Sequence, residues 1–226
     1  IMSWNGDFDE EKLTEMINRK IRQEKIAIKD VKLRTFITED SSRNEMVQHV
    51  YDITYGTVRP HEDTLVVIDD SIVRGTTLKE SIVRMLGRLK PKKIIIVSSA
   101  PQIRYPDCYG IDMSKLGDFV AFRAAMALLK ERGMEHLVTE VQQEILELAR
   151  TGQLHTQNLV RRLYKPFTTE EISAKIAELI TPAGFEIPVQ VVYQTIEDLH
   201  ASCPTNTGDW YFTGNYPTPG GNRVCN

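Results

Sequence analysis

Two short apolar runs constrain the fold of this chain more than any other feature. Residues 65–68 read Leu-Val-Val-Ile, and residues 94–97 read Ile-Ile-Ile-Val. Between them, residues 77–89 carry apolar side chains at helical spacing. A strand, a helix and a strand within about 35 residues form a βαβ unit, which implies a parallel sheet. Runs without polar interruption are typical of strands that are covered on both faces.

The rest of the chain is predicted to be mostly helical beyond residue 117. Residues 168–171 (Thr-Thr-Glu-Glu) offer an N-cap and an acidic first turn for one of these helices. The tail from Ser202 is rich in Gly, Pro, Asn and Thr, so we expect no regular structure there. The predicted helices cover residues 8–23, 44–55, 77–89, 118–132, 135–150, 156–164, 169–180 and 195–201, and the further strands cover 25–37 and 189–193.

Composition excludes several classes of partner. With 41% hydrophobic and 26% charged residues the chain can form a sizeable core, and a net charge of −3 provides no basic field for nucleic acid. Its three cysteines are far apart, which argues against a zinc site or a disulfide scaffold and favours a reducing, cytoplasmic location. No apolar run approaches the roughly 20 residues of a membrane helix. We expect a soluble cytoplasmic protein without a nucleic-acid or membrane partner.

Residues 69–77 (Asp-Asp-Ser-Ile-Val-Arg-Gly-Thr-Thr) follow the first apolar run directly and combine two kinds of ligand-binding chemistry. Two adjacent acids would lie at the carboxyl end of a parallel strand, where open α/β sheets bind ligands. Gly75 allows a tight turn, and Thr76 and Thr77 would then start a helix whose free amides attract anions. A sugar phosphate suits both halves, with its hydroxyls on the acids and its phosphate on the turn.

A purely structural interpretation of the same residues is that the acids cap a turn and the threonines only begin a helix. For an isolated Asp-Asp or Gly-Thr pair this interpretation would be preferred. The whole run, placed directly after a four-residue apolar strand, favours a binding site instead.

Residues 67–77 resemble the phosphoribosyl pyrophosphate motif of type I phosphoribosyltransferases, and most closely the amidophosphoribosyltransferase version of that motif. Residues 99–106 and 109–112 are similar to the segment that follows in this family. Residues 34–37 resemble the entry to its flexible loop, and residues 211–218 resemble its C-terminal signature. The resemblance therefore extends over residues 34–218.

The resemblance implies an α/β fold with a partial, parallel-sheet type I phosphoribosyltransferase-like core and a mainly helical C-terminal extension. Residues 1–117 would be the C-terminal portion of the phosphoribosyltransferase domain, and residues 118–226 a mainly helical region with a Gly/Pro-rich tail. The family, a group of pentosyltransferases, forms 5-phosphoribosylamine from phosphoribosyl pyrophosphate and glutamine-derived ammonia in purine biosynthesis. It is commonly a homo-oligomer and is inhibited by purine nucleotides.

By position, the resemblance implies that Asp69 and Asp70 bind ribose hydroxyls and Mg²⁺. The 5′-phosphate loop would be formed by the residues that follow, with Arg74 adding charge, and no side chain acts as a general acid or base. The complete set of expected substrate-binding residues is Asp69, Asp70, Ser71, Val73, Arg74, Gly75, Thr76 and Thr77.

Three departures from the family pattern are informative. No cysteine stands near residue 1, and the family's early strands are missing, so we expect a fragment without the glutaminase domain and without activity of its own. Residues 38–45 match a loop that is strongly basic in the family but here contains more acids than bases. This loop motivates an alternative, a regulatory module that binds phosphoribosyl pyrophosphate or purine nucleotides without turnover. Asp107 before Cys108, and Trp210-Tyr211 before Phe212, predict no iron–sulfur cluster.

Overall fold

The computed structural model describes residues 10–18, 20, 22–24, 26–29, 51–76, 78–108, 113–205 and 208–226. The helices are α1 (Glu10–Asn18), α2 (Arg84–Gly87), α3 (Val120–Glu131), α4 (Glu135–Arg150), α5 (Arg161–Tyr164), α6 (Thr169–Ile180), α7 (Ile196–Ser202), α8 (Trp210–Thr213) and α9 (Pro219–Cys225). A π-helical segment, Leu78–Val83, leads into α2, and a 3₁₀ turn, Leu116–Asp118, precedes α3. The strands are β1 (Ala27–Lys29), β2 (Tyr51–Ile53), β3 (Thr64–Asp69), β4 (Lys93–Ser98) and β5 (Val189–Tyr193).

The main sheet contains β3, β4 and β5 in that order, and all of its pairings are parallel. Leu65 is opposite Ile94, and Ile94 is opposite Val189, so the three carboxyl ends meet at one edge. The strands β1 and β2 form a separate antiparallel pair. The predicted α/β fold with a parallel sheet is confirmed, and it fits the partial type I phosphoribosyltransferase-like core that the resemblance implied.

The hydrophobic core lies between one face of the main sheet and the helices α3 and α6. Ile94 and Ile96 of the central strand are fully buried on this face. Ile172 and Ile176 of α6, which contacts β5 and α3, belong to the same buried cluster, and α3 contributes Val120 together with buried alanines and leucines. Because β5 pairs with β4, residues from both sides of position 117 contribute to one sheet. The predicted domain boundary at residue 117 stays a prediction.

The prediction that residues 65–68 are covered on both faces is wrong for the described part of the chain. Val66 and Ile68 are 60% and 72% exposed. They project from the sheet face opposite α3 and α6, as does Val192, which is 40% exposed. Among the described strands of this sheet, β3 is at the edge. Its apolar sequence was therefore not sufficient evidence that both of its faces are covered.

Several predicted elements have different bounds or types. Residues 51–53, predicted as the end of a helix, form β2, because Tyr51 and Ile53 favour an extended backbone. The tail after residue 202, predicted to lack regular structure, contains α8 and α9. Pro219 at the start of α9 is a signal for a helix beginning that the composition of the tail obscured.

The other predicted elements agree more closely with the structure. The side chain of Thr168 accepts a hydrogen bond from the amide of Glu171, and the side chain of Glu171 accepts one from the amide of Thr168. The expected cap of α6 is therefore a complete capping box. The helix predicted for residues 156–164 is limited to α5. Residues 30–50, which include the predicted loop at 38–45, lie outside the described residues. Within the described ranges, no helix has the length and apolar character needed to cross a membrane.

Candidate functional site

The two predicted acids lie at the carboxyl end of β3. Asp69 is the last residue of the strand and is half-buried, whereas Asp70 is exposed. The carbonyl of Asp69 accepts a 2.9 Å hydrogen bond from the amide of Ser99, just beyond β4. The amide of Asp70 donates to Asp69 Oδ1 (3.0 Å), and the amide of Ser71 donates to Asp70 Oδ1 (2.8 Å). One oxygen of each carboxylate thus holds the turn, and the other can contact a ligand.

Burial raises the pKa of Asp69, and the neighbouring Asp70 carboxyl raises it further. The raised pKa means that the ionised form of Asp69 is disfavoured in this environment. A bound cation or a set of hydroxyl donors would remove that penalty. The pair therefore has the electrostatic character of a ligand site.

The turn after the acids depends on Gly75, whose φ is +72°. A Cβ at this position would lie 2.9 Å from Ile180 Cγ2 and 3.3 Å from Val120 Cγ2. Glycine is therefore required both by the left-handed backbone and by the close approach of α6 and α3. The carbonyl of Gly75 accepts the amide of Lys79 (3.0 Å), which begins the helical segment after the turn.

The remaining predicted site residues lie around this turn. Ser71 and Val73 are half-buried, and Arg74 and Thr76 are exposed. Arg74 Nε lies 3.8 Å from Asp118 Oδ2. Thr77 lies outside the described residues. The structure thus brings seven of the eight predicted residues together at one strand end, while their roles in binding stay proposals.

Sequence reasoning missed two residues of α3 that hold the turn. The amide of Val120 donates to the carbonyl of Val73 (2.8 Å), and Arg123 Nη2 donates to the carbonyl of Arg74 (2.6 Å). Both contacts join residues that are far apart in the chain, so no local pattern around either residue could have found them.

Two further segments that resemble the family, residues 99–106 and 211–218, contact each other. The amides of Arg104 and Tyr105 both donate to the carbonyl of Tyr211 (2.9 and 3.1 Å). The Arg104 side chain donates to Gln102 Oε1 (3.0 Å from Nε) and lies over the ring of Tyr164, 5.4 Å from its centroid. These contacts show the Arg104 side chain packed within the loop and against Tyr164.

The carboxylates of Asp69 and Asp70 fit Mg²⁺ in one specific manner. Within the part of the chain that is described, no cluster of three or more His, Cys, Asp or Glu side chains could hold a metal. Two carboxylates are too few for an all-protein cage, but they suit Mg²⁺, which is commonly held by one or two carboxylates together with substrate phosphates. These residues therefore fit an ion that arrives with its substrate.

Comparison with known proteins agrees with the motif. No protein-family model matches the chain. An amidophosphoribosyltransferase of Haemophilus influenzae is 35% identical over 117 residues, which are 51% of this chain and 22% of that protein. The enzyme of Pasteurella multocida is 42% identical over 78 residues, 34% of this chain and 15% of that protein.

Among solved structures, the glutamine phosphoribosylpyrophosphate amidotransferase of B. subtilis, complexed with ADP and GMP, matches 85% of this chain and 32% of its own. The TM-score is 0.44 and the identity 23%. The chain spans about a fifth of the length of the H. influenzae relative. About half of this chain is thus related in sequence to the amidophosphoribosyltransferases, as its motif predicted.

Proposed function

We propose that this chain is the phosphoribosyl-binding, C-terminal part of an amidophosphoribosyltransferase. In this role the full-length protein is a pentosyltransferase that forms 5-phosphoribosylamine from phosphoribosyl pyrophosphate and glutamine-derived ammonia, the first step of de novo purine biosynthesis. The observation that carries the proposal is the succession of two carboxylates at a strand end and a glycine turn with φ +72° at a helix start.

The proposed roles follow from the chemistry of each half of the site. Asp69 and Asp70 accept hydrogen bonds from the ribose hydroxyls and hold Mg²⁺. Ser71 and residues 73–77 form the 5′-phosphate loop, in which backbone amides bind the phosphate and the cation of Arg74 adds attraction. When bound, Mg²⁺ supplies positive charge that stabilises pyrophosphate as a leaving group.

No side chain of the site needs to transfer a proton. The turn and the two acids fix the ribose at both ends, which orients its anomeric carbon toward the incoming ammonia. Positioning and electrostatic stabilisation of a cation-like sugar then account for the rate.

Further properties of the full-length protein belong to the same proposal. It contains a glutaminase domain outside this chain, acts in the cytoplasm, assembles as a homo-oligomer and binds purine nucleotides as inhibitors. The isolated chain binds phosphoribosyl ligands but does not turn them over.

The acidic character of residues 38–45 favours a second candidate. A regulatory module with this fold would bind phosphoribosyl pyrophosphate or a purine nucleotide without catalysis. A lid with more acids than bases would repel pyrophosphate, which weakens catalysis without preventing 5′-phosphate binding at the turn.

Assay of the full-length protein with ammonia, phosphoribosyl pyrophosphate and Mg²⁺ separates the two candidates. We expect formation of phosphoribosylamine and pyrophosphate, and a loss of at least about 100-fold for Asp70→Asn because a substrate and metal ligand is removed. Asp198→Asn, on α7, is a control that should keep full activity. Saturable nucleotide binding without any product would overturn the enzyme proposal and favour the regulatory module.

A further inference from the structure

The first turn of α3 contacts three successive residues of the turn that follows β3. The amide of Val120 donates to the carbonyl of Val73 (2.8 Å), and Arg123 Nη2 donates to the carbonyl of Arg74 (2.6 Å). The side chain of Val120 lies beside Gly75. Residues 73–75 are therefore held from one side by a single helix.

These two hydrogen bonds determine the direction of two successive peptide groups. In a trans peptide the C=O and N–H bonds point in opposite directions. Because the carbonyls of Val73 and Arg74 both point toward α3, the amides of Arg74 and Gly75 both point away from it. Successive amides that face one side form a concavity suited to an anion.

The two hydrogen bonds from α3 are the anchors of the turn, and they differ in whether a substitution can remove the donor. The Val120 amide is one of the free donors at the beginning of α3, and no side chain caps this helix at Phe119, so the carbonyl of Val73 serves as its acceptor. The second anchor depends on a side chain. Val120 and Arg123 are three residues apart and so share a face of α3, which allows both to reach the turn.

We propose that Arg123 is a positioning residue, which turns the amide of Gly75 toward the phosphate by holding the carbonyl of Arg74. This inference rests on the proposed function of the turn as a phosphate loop. Arg123 acts through the backbone and not by contact with the ligand. Without it, the peptide between Arg74 and Gly75 can rotate, because Gly75 allows many backbone conformations.

Two measurements on the full 226-residue chain test this role. The first is the ¹⁵N–¹H resonance of Gly75 in the absence of ligand, assigned by its disappearance in Gly75→Ala. The second is calorimetric titration with ribose 5-phosphate. The variants are Arg123→Met, which removes the donor, and Arg123→Lys, which keeps one. Arg150→Met removes the same charge from the exposed end of α4 and is the matched control.

We expect Arg123→Met to shift or broaden the Gly75 amide resonance and to weaken binding by about 10-fold, the size of one charge-assisted hydrogen bond from the Gly75 amide to the phosphate. Arg123→Lys should restore most of both signals, and Arg150→Met should change neither. A role limited to long-range charge would weaken binding without moving the Gly75 amide, and that result would overturn the inference.

The two proposals fail in different ways. Wild-type binding of ribose 5-phosphate with an unchanged affinity in Arg123→Met contradicts the role of Arg123 and leaves the phosphate loop standing. Absence of wild-type binding in a folded chain contradicts the proposed function and, with it, this role of Arg123.

Discussion

Ile180, the last residue of α6, packs directly on Gly75: its Cγ2 atom is 2.9 Å from the position that a Cβ on Gly75 would occupy. The turn after β3 is therefore shaped by a helix that begins nearly one hundred residues later in the chain. Since Val120 of α3 approaches the same point, the turn lies against both helices of the core. Its conformation and the packing of the core are coupled.

Replacement of Gly75 by alanine should destabilise the fold. The added Cβ meets both a left-handed backbone and the side chain of Ile180, so we expect a loss of about 2–3 kcal/mol in the free energy of unfolding. Urea denaturation measures this loss. Gly152→Ala has the same sign of φ with open space around it and should lose about 1 kcal/mol.

Gly117→Ala completes this series. Position 117 has neither a positive φ nor a neighbour close to the added Cβ, so the free energy of unfolding should not fall in this variant. An equal loss in Gly75→Ala and Gly152→Ala would show that Ile180 does not restrict the turn.

Loss of the hydroxyl should change the free energy of unfolding differently at the half-buried Tyr193 and at the buried Tyr164. Tyr193 has a buried hydroxyl without a hydrogen-bond partner among the described residues, whereas the hydroxyl of Tyr164 donates to the carbonyl of Arg104 (2.9 Å). Tyr193→Phe should leave the free energy of unfolding unchanged or raise it slightly. Tyr164→Phe should lower it by about 1 kcal/mol or more, because a partner of the carbonyl is lost. A larger loss for Tyr193→Phe would mean that its hydroxyl has a partner in solution.

The buried thiol of Cys225 should make the free energy of unfolding fall at alkaline pH. Burial raises the pKa of its thiol from 9.0 to about 12. The folded chain therefore keeps this proton at pH values where the unfolded chain has lost it. Its contribution to stability is fully present below pH 9 and disappears as the pH rises toward 12. Cys225→Ala should flatten this decline, and Cys203→Ala, at an exposed position, should not.

The same burial protects Cys225 from alkylation. At pH 8 iodoacetamide should modify the exposed Cys203 in the native chain and reach Cys225 only after denaturation. Peptide mass spectrometry distinguishes the two sites. Equal labelling of both in the native chain would contradict the packing of α9.

The side chain of Asn226 joins the end of the chain to residues 154–159 through three hydrogen bonds. Its side chain accepts the amide of Leu159 (3.0 Å) and donates to the carbonyls of Leu154 (3.1 Å) and Gln157 (2.7 Å). Asn226→Ala should lower the free energy of unfolding by about 1–3 kcal/mol, because three backbone groups lose a partner. Asn222→Ala, which removes one bond to His155, should cost less. Thermal denaturation of both variants gives the comparison.

The sequence was most informative where local pattern and local structure coincide. The runs at 65–68 and 94–97 form paired strands, and the acids and glycine between strand and helix lie where the motif predicted. The strand at 189–193 was also predicted, because Val189–Tyr193 is rich in β-branched residues bounded by Pro188.

Contacts between distant residues could not be predicted in this way. Nothing near Arg123 indicates that it reaches the carbonyl of Arg74, and nothing near Ile180 indicates that it limits Gly75. The exposure of Val66 and Ile68 is a similar case, because periodicity reports apolar character but not which layer covers it. Tertiary packing decides all three.

The central claim is that the turn after β3 binds a phosphoribosyl group, and calorimetric titration of this chain with phosphoribosyl pyrophosphate and Mg²⁺ tests it most directly. We predict saturable binding in the mM range, about 4 kcal/mol. Asp70→Asn and Gly75→Val should abolish it, while Asp198→Asn should not. A folded wild-type chain that binds no phosphoribosyl pyrophosphate, or an Asp70→Asn variant that binds it as well as wild type, would contradict the claim.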